Sequence, residues 1–131
     1  MTNEELIKKA IKAKQNSYSP YSHYKVGAAL LTKEGKVYLG TNVENCGYAP
    51  TNCAERSAFF SAISNGERNF SKIAIVGDSK DAIAYPCGVC RQVIVELAPD
   101  IEIICAKDEK NYEILSIQDL LPHAFTPNDL K

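Results

Sequence analysis

Apolar and polar residues follow two different periods along this chain, and the switches between them mark its elements. Behind Thr2, the positions Leu6, Ile7, Ala10, Ile11 and Ala13 recur at helical spacing and predict an amphipathic helix to about Asn16. Thr2 with Glu5 three residues later has the pattern of a capping box. YSPYSHY then ends the helix, because the residue before Pro20 is biased to extended backbone. Two strand-like runs, Val26–Thr32 and Val37–Val43, flank a turn at Glu34-Gly35 and predict a β-hairpin. ENCGYAPTN is an irregular loop rich in turn residues.

A helix is expected over about Cys53–Asn65, stopped by Gly66. Lys72–Gly77 is a short apolar run, hence a buried strand, and DSKDAIAYP is a loop. CGVCRQVIVELA predicts a helix ended by Pro99. Strands follow at Ile101–Ala106 and Tyr112–Ser116, separated by the turn KDEKN, then a short helix and a tail in IQDLLPHAFTPNDLK. No repeat, linker or low-complexity segment interrupts the pattern, so residues 1–131 are expected to form one domain. A hairpin followed by alternating helices and strands implies an α/β fold, one mixed sheet covered by helices. In such sheets sites form where strands end and helices begin, and both cysteine-bearing stretches, TNCAER and PCGVC, lie at such places.

Composition narrows the function classes. Apolar residues make up 45% of the chain, too many for a disordered protein. A formal net charge of −1 gives no basic surface for nucleic acid, so no nucleic-acid partner is expected. No apolar run is long enough to cross a bilayer, and the charged helical start MTNEELIKKAIKAKQ does not read as a signal peptide. The expectation is a cytoplasmic protein without a membrane partner. Its five cysteines would then be reduced, and therefore metal-binding, catalytic or simply buried.

Cys87 and Cys90 open one predicted helix, and Cys53 opens another. A redox pair at a helix start is one reading of C-x-x-C, but it leaves Cys53 and Glu55 without a role. A structural zinc site is a second reading; it needs a fourth ligand, for which Cys46, His23 or His123 would have to serve. The third is a catalytic zinc site, with three protein ligands and the fourth position kept for water. Such a site needs a base that is not a ligand, and Glu55, two residues beyond Cys53 in the helix's first turn, is placed for that role. C-A-E followed by P-C-x-x-C is the signature of the zinc-dependent deaminases written with cysteine as first ligand. Three thiolates around Zn²⁺ leave a net negative site, which calls for compensation by the two helix N-termini and by an arginine. Arg56 is the first candidate to hydrogen-bond thiolate sulfur and Arg91 the second.

YSPYSHYKVGAALLT, GTNVEN, CAERSA, PCGVCRQV and LLPHAF together resemble the cytidine deaminase family, in its small, homotetrameric, all-cysteine-ligand form. The resemblance runs nearly end to end. It implies a three-layer fold with a mixed five-stranded sheet between helices. It implies one Zn²⁺ per subunit on Cys53, Cys87 and Cys90, and hydrolysis of cytidine and 2′-deoxycytidine to uridine and 2′-deoxyuridine plus ammonia, with Glu55 moving the protons. It also implies a ribose grip by Asn42 and Glu44, which flank Val43; Val43 and Ala54 are counted among the substrate contacts. An acidic Glu44 disfavours a 5′-phosphate, hence free nucleosides. Tyr24 stands where relatives often carry Phe against the nucleoside, and is otherwise a strand-edge aromatic. Phe125 resembles the aromatic that reaches a neighbouring subunit's pocket in a homotetramer, and is otherwise a tail residue covering the core. Tyr48 and the loop around Cys46 are expected to help close pockets across subunits, and Cys105 to be a buried small hydrophobe. The rival activities are deamination of an aminonucleoside antibiotic such as blasticidin S, and a zinc module without catalysis.

Overall fold

The computed structural model describes residues 1–131. In chain order it contains α1 (Asn3–Lys14), β1 (Val26–Thr32), β2 (Val37–Thr41), α2 (Ala54–Ser64), β3 (Phe70–Gly77), α3 (Gly88–Leu97), β4 (Glu102–Ala106), β5 (Tyr112–Ser116), α4 (Ile117–Leu120) and a 3₁₀ turn at Pro127–Leu130. The strands form one five-stranded sheet in the order β2-β1-β3-β4-β5. β3 and β4 are parallel, joined across α3, and every other pairing is antiparallel.

Alternation along the central strands divides the core in two. Ala29 and Leu31 on β1, Ala74 and Val76 on β3, and Ile104 and Ala106 on β4 face α1, where they bury Leu6, Ile7 and Ala10. Ala28, Leu30, Ile73, Ile75, Ile103 and Cys105 face the opposite way and bury Ala58, Phe59, Ala62, Ile94 and Val95 of α2 and α3. Cys105 is fully buried there, in its expected role. Each large aliphatic side chain removed from water in these layers contributes about 1.5–3 kcal/mol before entropy is charged against it.

Local signals explain the boundaries. The Thr2 hydroxyl accepts the Glu5 N–H at 3.1 Å, which is half of the expected reciprocal cap. β1 and β5 begin and end where the pattern predicts, whereas β3 starts earlier, at Phe70, and β2 stops at Thr41. Two glycines let helices lie directly on the sheet backbone. A Cβ on Gly27 would come 2.0 Å from the Ala10 carbonyl oxygen of α1, and one on Gly40 would come 2.2 Å from that of Ala54 on α2. No helix is long and apolar enough to cross a membrane.

Candidate active site

Two helix starts meet at the carboxyl end of the parallel strand β3. Cys53 is the N-cap of α2 and Cys87 the N-cap of α3, both in extended backbone, and neither thiol makes a capping hydrogen bond. Positions usually given to Ser, Thr, Asp or Asn are thus given to sulfur, and the thiols turn to each other. The Cys53 and Cys87 sulfurs are 3.6 Å apart. Cys90, buried in the first turn of α3, completes a cluster in which all three sulfurs lie within 4.8 Å of one another.

The cluster suits zinc. Three thiolates are soft donors, and tetrahedral Zn–S bonds of ~2.3 Å imply sulfurs about 3.8 Å apart. No histidine or carboxylate joins them: Cys46 is exposed elsewhere, and His23 and His123 are outside the group. With three protein donors and the Cys53 and Cys87 side open to a cleft, the arrangement has the open coordination of a catalytic site rather than the closed one of a structural site.

Charge is handled locally. The hydrogen bond from the Cys90 thiol, against the opposing effect of burial, brings Cys53 down to about 5, with Arg56 as a further cause. The same bond to Cys53, together with burial, pushes the Cys90 thiol up. Arg56 Nη2 donates to Cys53 Sγ at 3.3 Å, reaching back one turn from the third helical position to the cap. Burial works against the Arg56 charge, but its bonds to Cys53 and Cys90 raise its pKa overall. Its Nε is buried with no partner in the chain. Arg91, the second candidate, is not at the sulfurs: its Nε donates to the Pro86 carbonyl and its Nη1 to the Leu120 carbonyl, both at 2.7 Å, so it ties α3 to α4.

Glu55, one residue inside α2, is 4% exposed and lines the cleft beside Cys53. Burial pushes its carboxyl up to about 7. A carboxyl so placed can hold or release a proton near neutral pH.

The cleft has a volume of about 480 Å³, room for a nucleoside. Asn42 and Glu44 stand in its wall with Tyr24, Ala54 and Glu55. Asn42 is largely committed to the fold: its Oδ1 accepts from the Val26 N–H at 2.9 Å and from the Ser17 hydroxyl, and its Nδ2 donates to the Tyr24 carbonyl at 2.8 Å. One amide N–H remains for a ligand. Glu44 accepts from the Tyr21 and Ser22 N–H groups and from the Ser22 hydroxyl, and that hydroxyl holds its carboxyl below the usual range. It is an ionised acceptor at one end of the cleft.

Val43 and Phe125 lie outside this chain's own cleft, and for Phe125 the expected contact is with a neighbouring subunit. Val43 does not line the cleft; its side chain lines a separate groove with Leu39 and Ser57, and its N–H and C=O are both bonded to Asn52 at 2.9 Å. Val43 lies beyond β2 as an isolated bridge residue paired with Tyr18 and Asn52, while Asn42 and Glu44 on either side of it line the cleft. Phe125 is 58% exposed and outside its own chain's cleft; the Gln92 side chain holds its carbonyl at 2.8 Å. The wall formed by Ile83, Ala84 and Tyr85 went unrecognised in the sequence, as did Ser22 as the anchor of Glu44. Apolar Ile83-Ala84 inside an otherwise polar loop was the available signal. His23 and Tyr48, in loops, have left-handed backbone with φ of 58° and 61°, a strain that sequence does not announce in residues other than glycine.

Residues 1–106 match the family described as "Cytidine and deoxycytidylate deaminase zinc-binding region". The chain is 46% identical over 131 residues to a cytidine deaminase of Halalkalibacterium halodurans, covering 99% of this chain and 98% of that one. The crystal structure of cytidine deaminase from Burkholderia pseudomallei superposes with a TM-score of 0.91 at 47% identity, covering 95% of this chain and all of that one. A blasticidin-S deaminase of Bacillus cereus is more distant, 32% identical over 131 residues, covering 95% of this chain and 92% of that one.

Proposed function

The chain belongs to the cytidine and deoxycytidylate deaminase family, and we propose that it hydrolyses the 4-amino group of free cytidine and 2′-deoxycytidine, giving uridine and 2′-deoxyuridine with ammonia. The observation that carries this reading is one cleft wall bearing an open three-thiolate cluster and the buried carboxyl of Glu55. Cys53, Cys87 and Cys90 would hold a zinc ion. Bound there, zinc supplies Lewis-acid activation of water.

The other steps belong to the chain. Asn42, through its remaining N–H, and Glu44, through its carboxylate, bind the ribose hydroxyls and so aim the base at the sulfur cluster. The apolar wall of Val26, Ile75 and Ile83 excludes water from the ring. Glu55 takes a proton from the attacking water and gives it to N3 of the pyrimidine as the oxygen–C4 bond forms. It then moves the second proton from that oxygen to the amino nitrogen, and the C4–N bond breaks with ammonia as leaving group. Arg56 neutralises part of the thiolate charge through Cys53. Glu44, already ionised at the sugar end, repels a 5′-phosphate and selects nucleosides over nucleotides.

The working unit in this proposal is a homotetramer in which Phe125 completes a neighbouring subunit's cleft. Its support is the exposure of Phe125, Phe60 and Val89 together with the distance of Phe125 from its own cleft. Light scattering reads the assembly, and a monomer at working concentration would remove this part of the proposal.

Ultraviolet absorbance of cytidine, deoxycytidine and cytidine monophosphate tests the reaction, with protein of measured zinc content and with its Glu55→Ala variant. The expected result is loss of cytosine absorbance with both nucleosides and not with the nucleotide. Glu55→Ala should keep its zinc and lose about 10²–10⁴-fold in turnover. A zinc-loaded protein inert to both nucleosides, or a variant as active as the parent, would refute the reading.

A further inference from the structure

We propose that Gly77 is the positioning residue for Tyr24, and that this pair sets how tightly the cleft holds its nucleoside. The inference rests on the deamination proposed above and deepens it. The floor of the cleft continues the sheet face that packs against α2 and α3: Ile75 of β3 and Val26 of β1 both line it. Gly77 is the next residue of β3 on that face and is paired directly with Val26. A side chain is missing at the one floor position where Tyr24 lies.

The contact is specific. A Cβ built on Gly77 would stand 2.2 Å from the Tyr24 hydroxyl oxygen, 2.9 Å from its Cζ and 3.1 Å from the Ala84 Cβ. Gly77 does not have positive φ, which among the glycines is confined to Gly35 and Gly66, so its backbone conformation does not call for glycine. Space does: the absent side chain is the seat of the phenol. Tyr24 is pinned from its own backbone as well. Its carbonyl accepts from Asn42 Nδ2 at 2.8 Å and its N–H donates to the Ser22 hydroxyl at 3.0 Å. Ser22 in turn bonds Glu44. With the backbone held by residues of the ribose end, a methyl group at position 77 must displace the ring from the sheet, where it lines the cleft. The ring wall and the ribose grip are thus one unit, and Gly77 fixes its inner edge.

The test is steady-state deamination of cytidine by the zinc-loaded wild type, Gly77→Ala, Tyr24→Phe and the double variant, beside a crystal structure of Gly77→Ala. Gly77→Ala should raise KM about five- to tenfold, the scale of a lost aromatic contact, with kcat within about twofold, because the contact is made alike in ground and transition states. Tyr24→Phe alone supplies the baseline against which the double variant is read. The double variant, compared with Tyr24→Phe, should lose less in KM than Gly77→Ala loses against the wild type, since the oxygen 2.2 Å from the new Cβ is gone and only Cζ at 2.9 Å must still give way; a merely structural role for Gly77 would show no such rescue. In the crystal structure the Tyr24 ring should be displaced from β3. A wild-type KM in Gly77→Ala, a double variant as impaired against Tyr24→Phe as Gly77→Ala is against the wild type, or an unmoved ring would overturn the proposal. Should Gly77→Ala fail to fold, recovery of folding in the double variant reads the same contact, and failure of both overturns it. An inactive wild type would refute the deamination and not this pair; the position of the ring in Gly77→Ala then decides between a seated and a displaced phenol.

Discussion

On one face of the sheet α1 lies against Gly27, and on the other α2 lies against Gly40. The device is the same: a strand residue without Cβ lets a helix backbone come closer than any side chain would permit. The consequences differ. α1 carries Leu6, Ile7 and Ala10 into the core and brings no group to the cleft. α2 carries Ala58, Phe59 and Ala62 into the other core layer, and its N-terminal end delivers Cys53, Glu55 and Arg56. The atoms that a Cβ on Gly40 would strike are the Ala54 carbonyl oxygen at 2.2 Å and the Ala58 N at 2.5 Å, so the close approach is at the very turn that bears the chemistry. One face holds the sheet together, while the other fixes a carboxyl relative to three sulfurs.

Breaking the two contacts separately exposes that difference. Gly40→Ala should have the larger effect. The new Cβ cannot be absorbed by a side-chain rotation, since it meets backbone on α2. The first turn must shift outward, costing about 1–3 kcal/mol in stability and on the order of 10²-fold in turnover through misplacement of Glu55. Zinc affinity should fall with it, because Cys53 moves relative to Cys87 and Cys90 on α3. Gly27→Ala meets the α1 backbone at 2.0 Å and should lose comparable stability, yet keep its zinc and lose less than about threefold in kcat. Thermal unfolding, metal analysis and turnover on both variants check this. Equal catalytic losses would show that the two faces are not separable and that α1 also sets the site.

The sheet and both site helices were legible in the sequence because their signals are local. Strand-like runs flanking turns placed β1 and β5 to the residue, and cysteines at helix starts located the cluster. What was not legible depends on distant partners or on direction. Arg91 is one residue from Cys90, nearer in sequence than Arg56 is to Cys53, and only the placement of the Pro86 and Leu120 carbonyls decides that it clamps α4 instead of bonding sulfur. Asn42 looks like a ligand-gripping amide, but most of its capacity holds the start of β1, through Val26, and the Tyr24 carbonyl. The wall of Ile83, Ala84 and Tyr85 lies in a loop, where no periodicity points a side chain.

The smallest expected effect sharpens the comparison from the α1 side. Asp78, just past β3, bonds the Lys14 ammonium of α1 at 3.1 Å and accepts the Lys25 N–H at 2.9 Å. Partial burial would raise its carboxyl pKa, but these two bonds outweigh burial and hold it below the usual range. A carboxylate whose folded pKa is depressed contributes stability that is complete above its unfolded value and lost as pH falls through the folded one. Asp78→Asn should therefore be less stable than the parent at pH 7, and the gap should begin to narrow below about pH 4 and close as pH falls through the depressed folded pKa. With the Asp78 side chain 34% exposed, the gap at pH 7 should stay under ~1 kcal/mol. Urea unfolding of both proteins at pH 7 and pH 3 measures it. A gap undiminished at pH 3 would mean that Asp78 acts through packing or its neutral hydrogen bonds, and the attachment of α1 at this corner would then owe nothing to charge.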